Sequence, residues 1–141
     1  ITSLGNFKGE SLKEVNLRNN EITNFASLKD IASLEKIDLR NNQVANIPDL
    51  KGVNRLEILD LGHNQITGLT GLSQLDYIGY LNLENNALDD NSNINNLSVL
   101  APINPNHNIK IGTLNLLGNN LTNSQEIIDE LEENGTTVII D

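Results

Sequence analysis

The chain contains no cysteine, methionine or tryptophan, and its only aromatic residues are two tyrosines and two phenylalanines. The lack of cysteine excludes disulfide bonds, thiolate zinc sites and cysteine nucleophiles. Because aromatic residues make up only 3% of the 141 residues, branched aliphatic side chains must fill the core. No apolar run approaches the roughly 20 residues needed to span a bilayer, so membrane insertion is not expected.

Basic residues are scarce and unevenly placed. The net charge is −10, from nine Lys and Arg against 19 Asp and Glu. Eight basic and seven acidic residues lie in the part of the chain that ends at Arg55, whereas Lys110 alone faces twelve acids from Leu56 onward. Nucleic acid is not expected as a partner, because phosphate binding needs a basic surface. The acidic half is interpreted as a solubility surface or as a feature that steers a basic partner.

An 11-residue pattern recurs along the chain. In the first copy, residues 12–22, apolar residues occupy positions 1, 4, 6 and 11, and Asn occupies position 9. Four copies follow each other at intervals of 22 residues, and a fifth follows after 33. The copies begin at Leu12, Leu34, Leu56, Ile78 and Ile111.

The pattern predicts a short strand in each copy. Positions 4 and 6, which are Val15 and Leu17 in the first copy, are two residues apart and therefore share one face of a strand. One copy cannot bury this face alone, so stacked copies that form a parallel sheet are the folding unit. Position 9 turns the chain away from the strand, where an asparagine amide can pair with buried backbone groups. The predicted structural ladder consists of Asn20, Asn42, Asn64, Asn86 and Asn119.

These residues resemble the leucine-rich repeat of the 22-residue type over essentially the whole chain. That subclass includes bacterial internalin-like surface proteins and the regulatory subunits that wrap protein phosphatase 1. The resemblance implies an α/β solenoid, a right-handed superhelix with a concave parallel β-sheet. The return segments lack the regular Asp-Ile-x-Pro-Leu stretch of the internalins, so the resemblance implies no shared ligand.

The return segments carry apolar residues at intervals of three, such as Leu69, Leu72 and Leu75. With Pro48 and several glycines among them, this spacing favours short 3₁₀ or irregular segments on the convex side over full α-helices. We therefore predict a single domain over residues 1–141. Its parts are a partial repeat 1–11, repeats 12–33, 34–55, 56–77, 78–110 and 111–122, and a C-terminal cap 123–141.

The two ends of the chain differ. Ile1, which matches Ile22, begins the tail of an earlier repeat, and with no Met present the chain is expected to be a processed form or an excised segment. A polar N-terminal cap is then expected upstream, unless this tail serves as one. At the other end, residues 123–126 fit a helix N-cap at Asn123 with Glu three residues later. An apolar helical stripe follows, Asn-Gly ends the helix, and residues 136–140 read as a last strand.

The fourth repeat contains 11 extra residues between Leu88 and Ile111. Oxygen-bearing side chains alternate from Asp89, as in a calcium loop, but Ile94 stands where such a loop needs Gly and Leu100 where it needs Glu. We interpret the insertion as a polar loop above a distorted return segment, and as a secondary candidate contact. No metal and no cofactor are predicted.

Side chains at positions 3, 5, 7 and 8 are expected on the concave face, where adjacent strands lie about 4.8 Å apart and each position forms a row. Ile58 and Tyr80 are neighbours in one row. An apolar centre with an aromatic residue and a charged rim is typical of interface cores, although single surface apolar residues are ordinary. The predicted partner-binding residues are Ile58, Tyr80, Leu117, Arg18, Arg40, Lys36, Asp38, Asp60, Glu84 and His63.

The charged residues of this set leave alternatives open. Asp38 and Asp60 should lie side by side, which costs stability unless Lys36 and Arg40 offset it or a partner cation does. Arg18, stacked with Arg40, offers a site for a partner carboxylate. A lone histidine such as His63 is ordinarily a surface residue.

Catalysis is not expected, since the chain has two histidines, no cysteine and no phosphate-binding glycine loop. A shallow sheet also provides no desolvated pocket that would let two aspartates act as a glycosidase pair. The predicted function is a monomeric, non-catalytic module that binds a protein partner through its concave face, on a bacterial surface or secreted. The alternatives are a cytoplasmic regulatory scaffold that resembles the phosphatase-binding group, and a passive spacer between other domains.

Overall fold

A computed structural model describes residues 1–7, 11–90, 96–101 and 109–141 of the chain. Six strands form one parallel sheet, and their order in the sheet is their order in the chain. This architecture confirms the predicted stack. The strands are β1 (Glu14–Asn16), β2 (Lys36–Asp38), β3 (Ile58–Asp60), β4 (Tyr77–Asn82), β5 (Lys110–Asn115) and β6 (Thr137–Ile139).

The register of the sheet follows the repeat. Each strand places a given repeat position beside the same position of its neighbour, so Ile37 pairs with Leu59, and Leu59 with Leu81. Across the insertion the register is kept, because Leu81 pairs with Leu114. The 22-residue spacing therefore turns each position of the pattern into a continuous row across the sheet.

One side of the sheet is closed by the aliphatic core. The position 4 side chains of β1 to β5 are all buried, and so are those of position 6 from Leu39 onward. Leu17 is only half-buried, since β1 is an edge strand with β2 as its one sheet neighbour. Phe25 is fully buried among these aliphatic side chains. The core is thus aliphatic, as the shortage of aromatic residues requires.

The return segments are thin. Within the described ranges they contain short 3₁₀ helices at Ala26–Leu28, Thr70–Leu72 and Asn96–Val99, which confirms the predicted convex side. The second return segment instead forms a single parallel bridge between Asn46 and Gly68. Gly71 shows how closely these segments pack, because a Cβ at that residue would lie 2.1 Å from the carbonyl oxygen of Ile47.

The C-terminal cap consists of the helix α1 (Gln125–Glu133) and the strand β6. The predicted N-cap at Asn123 is wrong: Ser124 holds the N-cap position, and no cap side chain bonds to the first turn. A carboxylate from the fourth repeat contacts the chain at this point. Asp90 accepts hydrogen bonds from the Asn123 backbone N–H and, at 3.1 Å, from the Ser124 hydroxyl. These contacts hold the two residues that precede the helix.

Part of the insertion lies outside the described residues. The comparison with a calcium loop rests largely on residues 91–95, which lie outside the described residues. The expected packing of Ile94 concerns the same segment. Leu97 and Leu100, which are described, are buried in the core. Across the described parts of the chain, no helix has the length and apolar content to cross a bilayer.

Candidate functional site: the open sheet face

The side of the sheet opposite the core is the candidate site, and we call it the open sheet face. It consists of strand positions 3 and 5 together with positions 7 and 8, which follow each strand. In the position 3 row, Lys36 pairs in register with Ile58, and Ile58 with Tyr80. All three side chains are half-buried and none belongs to the core. Ile58 and Tyr80 therefore form an apolar pair in the middle strands of the open sheet face.

The position 5 row bonds to the backbone instead of projecting freely. In every repeat its side-chain oxygen accepts the N–H of the residue two positions later. Asp38 accepts from Arg40 at 3.1 Å, and Asp60 accepts from Gly62 at 3.0 Å. Asp60 also accepts the side-chain amide of Asn82 at 2.9 Å. The full row is Asn16, Asp38, Asp60, Asn82 and Asn115.

Sequence reasoning assigned Asp38 and Asp60 to partner contact and missed this turn-forming task. The signal was present, since all five position 5 residues are Asn or Asp, which favour such side-chain-to-backbone bonds. The charge of Asp38 is offset by Arg18, whose Nε lies 4.0 Å from its carboxylate. Lys36, which was expected to share this role, forms no ion pair with any described residue.

The Arg40 side chain forms an ion pair within the open sheet face. Its Nη1 lies 2.9 Å from Oε2 of Glu84, two strands away in the position 7 row. The residue between them is Gly62, where a Cβ would lie 2.8 Å from that Nη1, so the missing side chain leaves the path open. Both side chains are largely covered, at 21% and 25% exposed. Arg40 and Glu84 are therefore paired with each other, and Arg18, 46% exposed, is the more accessible arginine of the row.

His63 occupies a left-handed backbone conformation. Position 8 has positive φ in every repeat: Asn19, Asn41 and Asn85 stand there in three repeats, Gly118 in the last, and His63 has φ 55°. Asn and Gly adopt this conformation at the lowest cost. The His63 imidazole is 40% exposed, and its Nε2 lies 3.8 Å from Oε1 of Glu84, so the ring lies beside the Arg40–Glu84 pair.

The position 9 asparagines line the edge of the open sheet face. In the middle of the row, Nδ2 of Asn64 donates to the carbonyls of Leu39 and Leu61, each at 3.0 Å, and its Oδ1 accepts the Val44 N–H at 2.9 Å. Asn42, Asn86 and Asn119 repeat this three-part pattern.

The first asparagine of that row joins the same scheme. Asn20 donates to the Leu17 carbonyl at 3.0 Å and accepts from the backbone nitrogen of Ile1 at 2.9 Å. Ile1 thus takes the place that Ile22 takes against Asn42. The side-chain amides of all five asparagines are hydrogen-bonded to backbone groups, so none is available to contact a partner.

Two depressions lie away from the open sheet face. One of about 270 Å³ lies between β5 and the cap, with Ile111 and Leu131 among its lining residues. The other, about 410 Å³, is an open groove bordered by Arg55, Glu57 and Tyr77. Tyr77 borders both, and sequence reasoning overlooked it because it precedes the repeat pattern. No three His, Asp or Glu side chains among the described residues converge to hold a metal ion.

Comparison with known families agrees with this geometry. A model of the family described as "Leucine Rich repeats (2 copies)" matches residues 10–52, and one described as "Leucine Rich Repeat" matches residues 55–75. The chain is a leucine-rich-repeat protein. No curated protein matches it.

Among solved structures, this leucine-rich-repeat protein is similar to an internalin, InlF, from Listeria monocytogenes. The TM-score is 0.70 at 25% sequence identity, and the match covers 92% of this chain and 34% of the internalin chain. The chain thus spans about a third of the length of that internalin. The similarity extends the family assignment to an internalin-like form of the repeat.

Proposed function

We propose that this protein is a non-catalytic module that binds a protein partner through the open sheet face. The apolar pair Ile58–Tyr80 carries the proposal. It stands at the centre of a face whose position 5 side chains are hydrogen-bonded to backbone, as are the position 9 asparagines at its edge. Apolar side chains with an aromatic member, surrounded by charge, are what the central part of a protein interface presents.

The residues around the pair support the same function. Arg18 and Lys36 lie toward β1 as accessible cations, whereas Arg40 and Glu84 hold each other and give the face a fixed shape. A fixed surface loses little conformational entropy when a partner binds. Leu117, half-buried after β5, adds apolar area toward the C-terminal end of the face.

We further infer a bacterial surface or secreted setting for the module. The support is the similarity to internalin InlF, together with a cysteine-free composition. Labelling of intact cells of the source organism with an antibody against this chain tests the setting. Labelling without permeabilisation is expected, and labelling only after permeabilisation would favour the cytoplasmic scaffold.

The binding proposal is tested with peptides selected from a displayed random library on the immobilised chain. Tyr80→Ala is expected to weaken binding of the selected peptides by about 1 kcal/mol or more, which is roughly fivefold or more, as for a central interface residue. The matched control is Tyr77→Ala, which removes the other tyrosine, 40% exposed but off the open sheet face, and should leave affinity unchanged. Selected peptides that bind both variants like the parent would place binding elsewhere and favour a passive spacer.

A further inference from the structure

We propose that Asn134 is a site of spontaneous covalent modification by deamidation, and that the fold holds this site unreactive until the C-terminal cap opens. Asn134 is the only asparagine of the chain that is followed by glycine. In this pair the backbone nitrogen of Gly135 can attack the side-chain carbonyl carbon of Asn134, because glycine has no side chain to obstruct the approach. Such a site is independent of the proposed binding function.

The reaction needs only water as a second reactant. The Gly135 nitrogen loses its proton and forms a bond to Cγ of Asn134, the bond from Cγ to Nδ2 breaks, and Nδ2 leaves as ammonia. Water then opens the resulting succinimide ring at either of its carbonyl carbons. One opening gives aspartate. The other gives isoaspartate, in which the main chain runs through the former side chain and contains an additional methylene group.

The end of the helix α1 places this pair in the chain. Gly135 has φ 91°, a left-handed conformation that glycine adopts without strain. Its N–H donates to the Glu132 carbonyl at 2.9 Å, and the Thr136 N–H donates to the Leu131 carbonyl at 3.0 Å. These hydrogen bonds form a Schellman motif after the C-cap residue, Asn134. The glycine that permits the reaction is therefore the one that the turn requires.

The same turn keeps the reacting groups apart. The nitrogen that must attack, that of Gly135, is bound through its N–H to Glu132, whereas the Asn134 side-chain amide donates to the Glu130 carbonyl at 2.7 Å. Both hydrogen bonds must break before the nitrogen can reach Cγ. Asn134 and Gly135 are exposed, so water already reaches the pair. The reaction therefore waits for local opening of the cap and not for access of solvent.

A contact with β5 holds the turn in place. The Thr136 hydroxyl donates to the Ile111 carbonyl at 2.9 Å, and Thr136 is buried. Leu131, whose carbonyl accepts the Thr136 N–H, is buried as well. The turn is thus attached to the sheet by the residue that directly follows the reactive pair. The rate of modification should follow how often this contact breaks.

Modification would weaken the turn that delays it. Aspartate cannot donate to the Glu130 carbonyl, and its charge would lie at the negative end of the α1 dipole. Glu132 and Glu133 are already there, and the last turn of α1 contains no basic residue. The additional methylene group of isoaspartate would displace Gly135 from the Schellman motif. Each product therefore favours the open cap, and the conversion runs in one direction.

The test incubates the full 141-residue chain and the blocked peptide Glu-Glu-Asn-Gly-Thr-Thr at mildly alkaline pH. Peptide mapping by mass spectrometry locates each conversion, and isoaspartyl methyltransferase labels the isoaspartate product. Asn134 is expected to convert in the folded chain at a rate at least about tenfold below that of the peptide, since two hydrogen bonds must open first. In urea the chain should approach the peptide rate. An Asn134 that does not convert, or equal rates in the folded chain and the peptide, would overturn the proposal.

Variants of the attachment to β5 test whether cap opening sets the rate. Thr136→Val removes the hydrogen bond to the Ile111 carbonyl and should raise the rate about fivefold, the equivalent of one hydrogen bond of about 1 kcal/mol. Thr137→Val, at the exposed neighbour, is the matched control and should convert like the parent. The same two changes in the peptide, where no cap exists, correct for any effect on the chemistry itself. Equal rates in the two chain variants would overturn the role of cap opening.

The effect of the product is measured directly with Asn134→Asp, which should lower the thermal midpoint at neutral pH. The matched control is Asn24→Asp, which adds the same charge at an exposed residue whose side-chain oxygen accepts the Ala26 N–H. Aspartate keeps that acceptor, so the control should leave the midpoint unchanged. A midpoint for Asn134→Asp that is no lower than that of the control would overturn the one-way character of the conversion.

Discussion

The position 9 row and the position 3 row cross the same sheet with the same spacing, yet they differ in every other respect. In the position 9 row the residue is Asn in all five repeats, and each amide bonds to backbone. In the position 3 row the residue changes at every step: Glu, Lys, Ile, Tyr and Thr. The residue type is therefore constant where its side chain must bond to the neighbouring repeat, and it varies where no such bond is needed.

The position 5 row qualifies this lesson. It shares the open sheet face with the position 3 row, two residues further along each strand, yet it is uniformly Asn or Asp because it forms turns. Facing outward is thus not enough to make a residue a contact candidate. Lys36, Ile58 and Tyr80 differ from the position 5 residues in two ways. The residue type at their position changes from repeat to repeat, and their side chains form no hydrogen bond or ion pair with other described residues.

The strongest test of this contrast compares two adjacent residues of β3. Leu59 is fully buried, so Leu59→Ala should lower the free energy of unfolding by about 4 kcal/mol through lost burial and a residual cavity. Ile58 lies half-buried on the open sheet face, and Ile58→Ala should cost about 1 kcal/mol or less. Urea denaturation of both variants measures the difference. Equal losses would mean that the open sheet face is as tightly packed as the core.

The second test compares a row asparagine with its exposed neighbour. Asn64→Ala leaves the carbonyls of Leu39 and Leu61 and the Val44 N–H without their partner, so a loss of about 3 kcal/mol in unfolding free energy is expected. Gln65→Ala, one residue away and exposed, should change stability by less than about 0.5 kcal/mol. Urea denaturation of both variants measures the two losses. A loss as small as that of the control would show that water replaces the amide.

The third and smallest effect concerns the C-terminal end of the stack, where the Asp90 carboxylate binds Asn123 and Ser124, the residues that precede α1. The Asn123 backbone N–H, and then the Ser124 and Thr122 hydroxyls, lower the pKa of Asp90 against an opposing effect of burial. A lowered pKa in the folded state means that the ionised carboxylate stabilises the fold at neutral pH. This contribution is lost as the pH falls from the unfolded value of about 3.9 through the lowered one.

Asp90→Asn should therefore reduce the thermal midpoint at pH 7, and the gap between the variant and the parent should narrow as the pH falls below about 4. Asp129→Asn, an exposed carboxylate on α1, is the control at both pH values. A gap that stays constant from pH 7 to pH 3 would show that the ionised form of Asp90 contributes nothing to the cap.

The sequence predicted the fold because the fold depends on local spacing. Apolar residues at fixed intervals specify which side chains turn inward, and the 22-residue period specifies which strands pair. The helix start was misplaced because Asn123 and Ser124 are held by Asp90, which lies 33 residues before Asn123 in the sequence.

The candidate site was less accessible from the sequence. Arg40 and Glu84 were assigned to partner contact, and their pairing could not be foreseen from nearest-neighbour rows, because it spans two strands and depends on the absence of a side chain at Gly62. The rows themselves were foreseeable, since register follows from the period. Which side chains of a row remain unpaired depends on how far neighbouring side chains extend across the sheet, and the repeat spacing alone does not specify this.

The asparagine row also has a direction. Asn42 serves the repeat before its own, since it donates to the Leu17 carbonyl and accepts the Ile22 N–H, and Asn64 does the same for Leu39 and Val44. An added unit of 22 residues would complete its predecessor and be completed by its successor without any new kind of bond. Gene duplication can therefore lengthen or shorten such a stack in whole units, and the open sheet face grows in equal steps.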